Sequence, residues 1–256
     1  MSQIGIEQIL KPLKGKPVDV QREALIQAIQ AEFKGSLFKT AKYLLGYKDI
    51  TYNTHGEMID ALQADTKRKL IVMPRGALKS SLGIVAYSIW LLIRDPNERI
   101  LIDSETYGNS KNFIREIKGH LESPLITQVF GTFRSDSNWA ESSITIAQRT
   151  KVLKEASITA SGIGANKTGQ HYSAVLHDDV NTDRNSQSPE NCAKVLNHYR
   201  LNTSILDPGG IMAVIGTRYS EADLIQNIID NELSDEQRSQ INPSHRRRKL
   251  GNSERA

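Results

Sequence analysis

The sequence predicts an α/β protein with a mainly parallel central sheet flanked by helices. Four short apolar runs have the length of buried strands, helical segments alternate with them, and polar or glycine-bearing turns separate the two. The runs cover residues 69–73, 99–103, 172–177 and 211–215. Strands buried on both faces read as continuous apolar runs, and strand–helix alternation favours parallel pairing.

Amphipathic segments supply the helices of this prediction. Apolar residues recur at helical spacing in several stretches, which cover residues 20–33, 37–45, 55–62, 80–93, 109–121, 191–201 and 222–229. Residues 142–147 and 152–158 alternate or run apolar, which predicts a further pair of strands. Gly162, Gly164 and Gly169 mark a loop before the third core strand.

Composition bounds the organisation of the chain. Its 256 residues are 38% hydrophobic, which is enough for one large domain, and the net charge of +4 does not by itself indicate nucleic acid. We expect a helical arm at 1–34, the main domain at 35–233, and a basic, disordered tail at 234–256. The single cysteine, Cys192, excludes an internal disulfide and a cysteine-based zinc cluster. The N-terminus lacks a signal-peptide pattern and the longest apolar stretch, 82–93, is too short for a bilayer, so we expect an intracellular protein without a membrane partner.

The segment after the first strand has the layout of a phosphate-binding loop. In such a loop a strand leads to a helix that opens with Lys-Ser or Lys-Thr, and backbone N–H groups attract phosphate oxygens. Here Lys79 and Ser80 open the helix, but Met73 and Leu78 occupy the glycine positions of the standard motif, and only Gly76 lies inside the loop. Taken alone, the segment fits equally well a strand, a turn and a serine-capped helix.

Two adjacent aspartates follow the third core strand. Asp178 and Asp179 end the run that starts at Ala174, in the manner of a Walker B motif, whose first acid helps to hold magnesium and whose second polarises the attacking water. Adjacent carboxylates repel each other unless a cation lies between them. The alternative is a simple turn or helix cap, but the order of phosphate loop and acidic pair favours phosphoryl transfer.

A polar pair ends the fourth core strand. Thr217 and Arg218 follow Gly216, where side chains can sense a γ-phosphate and transmit its loss. A surface loop is the alternative interpretation.

Together these segments resemble the ATPase domain of the large terminase subunit of tailed bacteriophages, the motor that packages DNA into procapsids. The resemblance covers roughly residues 35–230. Besides the phosphate loop it rests on residues 55–58, 99–106, 168–169, 175–179 and 215–224. The variant phosphate loop of that family often begins Pro-Arg-Gly and keeps Lys-Ser, as residues 74–80 do.

The resemblance implies an ASCE-type P-loop NTPase fold and hydrolysis of ATP with Mg²⁺. It implies translocation of double-stranded DNA by a ring of subunits, a pentamer on the portal, with portal protein and small terminase subunit as partners in the host cytoplasm. Carried over by position, Asp179, Lys79 and Arg75 are catalytic, Ser80 and Asp178 bind the metal, and Thr217 and Arg218 couple hydrolysis to movement. The nucleotide-binding residues it implies are Pro74, Arg75, Gly76, Ala77, Leu78, Lys79, Ser80, Ser81 and, on the adenine side, Tyr52.

Two departures from the family pattern qualify this expectation. Many members carry a trans-acting arginine just upstream of Walker B, where this chain has Lys167; either Lys167 or Arg149 is the candidate for that role. Large terminases also carry a C-terminal nuclease domain for which this chain has no room, so we expect no DNA cleavage. Two other functions stay open: a helicase-like, nucleic-acid-stimulated ATPase, and a non-catalytic nucleotide-binding assembly module.

Overall fold

A six-stranded sheet forms the centre of the protein in a computed structural model that describes residues 15–220 and 223–233. The strands are β1 (Arg68–Val72), β2 (Ile100–Ser104), β3 (Ser143–Ile144), β4 (Ile158–Gly162), β5 (Tyr172–Asp178) and β6 (Leu206–Gly216). Their spatial order is β1-β6-β5-β2-β4-β3, and every neighbouring pair is parallel except β3 and β4. The predicted α/β class with a mainly parallel sheet is confirmed.

Helices cover both faces of this sheet. They are α1 (Val18–Gly35), α2 (Leu37–Lys39, continued by a π-helical turn Thr40–Leu44), α3 (Tyr52–Gln63), α4 (π-helical over Ser81–Ala86 and α-helical over Tyr87–Arg94), α5 (Tyr107–Leu121), α6 (Pro124–Phe130), α7 (Pro189–Ser204) and α8 (Leu224–Asn231). None of the described helices is long and apolar enough to cross a membrane.

Alternating side chains of the strands divide the core into two apolar clusters. Ile100 and Ile102 of β2 belong to the larger cluster, with residues of α2 to α6. Leu101 lies between them in sequence but belongs to the second cluster, with Val195 of α7 and Leu224 of α8. Successive side chains of a strand point to opposite faces, so each strand anchors both layers of helices. The sheet is therefore packed against helices on both faces.

Polar caps explain where several helices begin. Thr51, Thr106, Ser123, Ser188 and Asp223 each accept a hydrogen bond from the backbone N–H three residues later. These contacts satisfy N–H groups that have no partner within the helix. The predicted helices are confirmed with longer or shifted bounds. Helix α6 was not predicted because seven residues are too few for a periodic pattern, although Ser123-Pro124 is a helix-start signal.

Three predicted strands differ from the structure. The strand predicted at 142–147 is only the two-residue β3. Residues 152–157 are not a strand; pairing begins at Ile158, where β4 runs alongside β2, and the antiparallel contact with β3 joins Ile144 to Ile158. Strand β6 begins five residues earlier than predicted, at Leu206, because the Pro-Gly-Gly segment at 208–210 is accommodated by a shift in register between β5 and β6. A Pro-Gly-Gly segment in a sequence normally indicates a turn.

The predicted N-terminal arm is described only from residue 15. Within it, α1 contacts α6 and α4; Gln30 Nε2 donates to the Val129 carbonyl at 2.6 Å, and the Phe33 and Phe130 rings are 6.5 Å apart. Residues 1–14 and the predicted basic tail at 234–256 lie outside the described residues.

Candidate functional site

A cleft of about 490 Å³ lies at the carboxyl edge of the sheet. It is bounded by the segments that follow β1, β2, β5 and β6. The residues that line it are Arg75, Gly76, Lys79, Ser104, Glu105, Asn109, Asn112, Phe113, Asp178, Asp179, Thr182 and Tyr219. In open α/β sheets the carboxyl ends of the strands are the usual place for a ligand, and this volume suits a small molecule.

The loop between β1 and α4 contains two left-handed residues. Gly76 has a φ of 79° and Leu78 a φ of 50°. Leu78 thus adopts, without being glycine, the backbone region that glycine favours, and such a conformation costs about 1–2 kcal/mol for a side-chain-bearing residue. The missing glycine at 78 therefore does not prevent the left-handed turn there.

Lys79 is buried and ion-paired across the cleft. Its Nζ lies 2.7 Å from Asp179 Oδ2, and the lysine side chain is 8% exposed. Asp179 itself has a φ of 41°, and its other oxygen, Oδ1, accepts the Thr217 N–H at 3.1 Å. Leu78 and Asp179 are the non-glycine residues with positive φ in the described part of the chain, and both adjoin this ion pair. Backbone strain of this kind clusters at functional sites.

Ser80 and Asp178 form the second pair that joins the loop to β5. Ser80 Oγ donates to Asp178 Oδ1 at 2.6 Å. Burial raises the pKa of the Asp178 carboxyl to about 6, although the Ser80 hydrogen bond opposes the shift. The hydrogen bond therefore does not fully offset the hydration that the ionised carboxylate loses on burial. A cation beside the carboxylate would supply the remaining compensation.

The oxygen atoms of Ser80 and Asp178 are of the type that Mg²⁺ prefers. Within the described residues no group of three or more His, Cys, Asp or Glu side chains could hold a metal ion. A hydroxyl and one carboxylate nevertheless fit Mg²⁺, because this ion is usually held by one or two protein oxygens together with water and substrate phosphates.

Arg75 and Thr217 connect the loop to the end of β6. Arg75 NH2 donates to the Tyr219 hydroxyl at 2.8 Å, and the guanidinium lies 5.4 Å from the Tyr219 ring centre. Thr217 Oγ1 donates to the Met73 carbonyl at 3.0 Å. Arg218, which lies between Thr217 and Tyr219 in the sequence, is half-buried. The segment after β6 therefore contacts both the phosphate-loop candidate and Asp179.

Other predicted site residues lie away from the cleft. Tyr52, at the start of α3, is 51% exposed, donates to Asp60 and packs edge-on against Phe38; it does not line the cleft. Arg149 donates to the carbonyls of Glu155 and Glu98, and Glu98 precedes the amino end of β2, whereas the cleft lies at the carboxyl end.

Lys167 is part of a buried cluster between strands β2 and β5 and helix α7. Its Nζ lies 3.3 Å from Asp103 Oδ1 and 3.2 Å from Asn202 Oδ1, and the residue is 9% exposed. A role in trans would require Lys167 to leave these contacts. His177 and His198 contact the other Asp103 oxygen at 2.9 and 2.8 Å. Burial alone would raise the pKa of Asp103, but the two histidine hydrogen bonds and the Lys167 charge hold it well below its usual range.

Seven of the lining residues were not predicted as site residues: Ser104, Glu105, Asn109, Asn112, Phe113, Thr182 and Tyr219. Glu105 lies two residues after the predicted strand 99–103, but the sequence does not show that this strand lies beside the strand that ends in the two aspartates. The asparagines and Phe113 lie on α5, and only the packing of that helix brings them to the cleft.

The chain was compared with known proteins. No family model matches its sequence, and no curated protein does.

Proposed function

We propose that the chain is a magnesium-dependent ATPase of the ASCE-type P-loop class. The observation that carries the proposal is the double link between the loop after β1 and the end of β5, made by Lys79 with Asp179 and by Ser80 with Asp178. A lysine, a hydroxyl and two carboxylates at one helix N-terminus are the groups that phosphoryl transfer needs for positioning and charge neutralisation.

The phosphate chain of ATP would bind at the start of α4. Backbone N–H groups of residues 75–80 and the N-terminal end of the helix favour negative charge there. The Lys79 ammonium has three N–H donors, so it would contact phosphate oxygens while it keeps its ion pair with Asp179, which holds the ammonium in place. Ser80 and Asp178 would hold Mg²⁺, which neutralises charge on the phosphates when bound.

Thr217 is suited to report on the state of this site. It is hydrogen-bonded to Met73 at the start of the loop and to Asp179 across the cleft. A movement of Met73 or Asp179 would therefore displace Thr217 and, with it, the adjoining Arg218 and Tyr219. We assign Thr217 and Arg218 to the coupling of hydrolysis to movement.

The resemblance to large terminase subunits extends the proposal to a motor that moves double-stranded DNA into a procapsid. The partners are then double-stranded DNA, the portal protein, the small terminase subunit and further copies of the chain in a ring. In such a ring a residue from a neighbouring subunit completes the site, so turnover should rise with protein concentration.

The proposal is tested by steady-state ATP hydrolysis with Mg²⁺, at rising protein concentration, with and without double-stranded DNA. The wild type should hydrolyse ATP and respond to DNA. Lys79→Ala and Asp178→Asn should lose activity by at least about 10²-fold, since each removes charge stabilisation of the phosphates.

Lys48→Ala is the matched control, because Lys48 is exposed on a surface turn and far in sequence from the cleft segments. It should behave as the wild type. Activity of Lys79→Ala equal to that of Lys48→Ala would reject the phosphate site, and hydrolysis without any response to DNA would reject the motor.

A further inference from the structure

We propose that Glu105 is the carboxylate that accepts the proton of the attacking water; this inference rests on the proposed ATPase function. It differs from the expectation drawn from the family resemblance, which gives that role to Asp179. The contacts of the two carboxylates favour the different assignment.

Glu105 lies at the same level of the sheet as the acidic pair. Ser104, the last residue of β2, is the register partner of Asp178 in β5. Glu105 and Asp179 each follow directly, so they emerge from adjacent strand ends, which are about 5 Å apart. Both line the cleft, as does Lys79.

Glu105 lies on the side of the cleft opposite the phosphate loop. The order of the strands places the loop after β1 at one end of the site and Glu105, after β2, at the other, with β6 and β5 between them. The water that attacks the γ-phosphorus must come in line with the leaving oxygen, from the side remote from the rest of the phosphate chain. Glu105 therefore faces the side from which that water would approach.

Both oxygens of Asp179 already have partners. Oδ2 is ion-paired with Lys79, and Oδ1 accepts the Thr217 N–H. The left-handed backbone at Asp179 fixes the direction of this short side chain. Asp179 thus serves to hold Lys79 and to bind the end of β6.

Glu105 has one oxygen fixed and one available. Oε1 accepts the Thr182 hydroxyl at 2.9 Å, which orients the carboxylate. Within the described residues, Oε2 forms no hydrogen bond and no basic side chain forms an ion pair with Glu105. A carboxylate held by one oxygen and open at the other is suited to bind and deprotonate a water molecule.

The step balances with water and ATP alone. The water oxygen forms a bond to the γ-phosphorus, and the bond from that phosphorus to the β–γ bridging oxygen breaks, with its electron pair left on ADP. One water proton passes to Glu105 Oε2 and then to solvent. The products are ADP and inorganic phosphate.

The test compares Glu105→Gln with the wild type in single-turnover ATP hydrolysis at high protein concentration with Mg²⁺ and double-stranded DNA. Glutamine keeps an oxygen that can accept the Thr182 hydroxyl but is a far weaker base. We expect unchanged ADP affinity by calorimetry and hydrolysis slower by about 10²–10⁴-fold, the usual contribution of a general base. Glu105→Asp, which keeps the charge but shortens the side chain, should retain part of the rate.

Glu23→Gln, on the exposed face of α1, is the matched control and should hydrolyse ATP as the wild type does. If Glu105→Gln hydrolyses ATP at the wild-type rate, this inference is overturned while the ATPase proposal stays intact. Loss of ADP binding by both Glu105 variants would also overturn it, because the residue would then act in binding. A wild type that is inert in every condition would overturn the proposed function, and this inference with it.

Discussion

Two residues beside Lys79 have backbones that their sequence does not suggest. Leu78 and Asp179 both have positive φ, and Leu78 stands where a standard phosphate loop has glycine. By residue type alone, Leu78 does not match the phosphate-loop motif. The structure shows the left-handed turn without the glycine, because the surrounding contacts, including packing of Leu78 on the apolar core, can offset about 1–3 kcal/mol of local strain.

Gly76 allows a clean measurement of what this loop requires. An added Cβ at Gly76 meets no atom within 4 Å, so Gly76→Ala changes only the backbone preference at a φ of 79°. We expect the free energy of unfolding to fall by about 1–2 kcal/mol, measured by urea denaturation.

Gly119 provides the matched control. It also has open space around an added Cβ, but it lies inside α5. Gly119→Ala should raise the free energy of unfolding by about 0.5–1 kcal/mol, because alanine favours a helix. A Gly76→Ala variant stabilised to the same degree would show that the loop does not hold the left-handed turn in solution.

At the scale of elements, Asp103 joins strands β2 and β5 to helix α7. Its carboxylate contacts His177 of β5, His198 and Asn202 of α7, and Lys167 in the loop between β4 and β5. Removing one member of a buried charged network leaves the others without compensation. Asp103→Asn should therefore lower the free energy of unfolding by about 3–5 kcal/mol at neutral pH, measured by urea denaturation.

The pH dependence of this contribution follows from the lowered pKa of Asp103 in the folded state. The stabilisation is fully present above the unfolded-state pKa of about 3.9 and is lost as pH falls through the lower folded-state pKa. The difference between wild type and Asp103→Asn should be present at neutral pH and shrink under strong acid. Asp49→Asn, at an exposed position, is the control and should show little difference at any pH. A difference that disappears well above pH 4 would contradict the assignment.

Elements were predictable where one periodic pattern decided them. The four core strands and the long helices follow from apolar runs and helical spacing. The bounds of β4 and the early start of β6 do not, because β4 is defined by pairing with β2, and the Pro-Gly-Gly segment of β6 is tolerated only through a register shift against β5. The sequence of a strand does not indicate which other strand it pairs with.

At the scale of the whole molecule, nucleotide binding should stabilise the fold. A ligand that binds only the folded state adds about 2.7 kcal/mol at 100 times its dissociation constant, and each kcal/mol raises Tm by about 2–4 °C for a domain of this size. Mg-ADP should therefore raise the wild-type Tm by several degrees in differential scanning calorimetry. Lys79→Ala should lose most of this rise and Lys48→Ala should keep it. An equal rise in both variants would place the nucleotide elsewhere.

The candidate site could be predicted from sequence in its parts but not in its arrangement. Lys79, Ser80, Asp178, Asp179 and Thr217 were found because each follows a recognisable core strand, and parallel strands bring their carboxyl ends to one edge. Glu105 was missed as a site residue, since the sequence does not say that β2 lies directly beside β5.

The position of β6 has a consequence for how the protein is made. This strand comes last among the described strands, yet it lies between β1 and β5 and pairs with both. Chains emerge from the ribosome N-terminal end first. A nascent chain therefore displays the lysine loop and both aspartates while β1 and β5 still lack the strand that joins them. Strand β6 can join the two halves of the cleft only after Gly216 has left the exit tunnel.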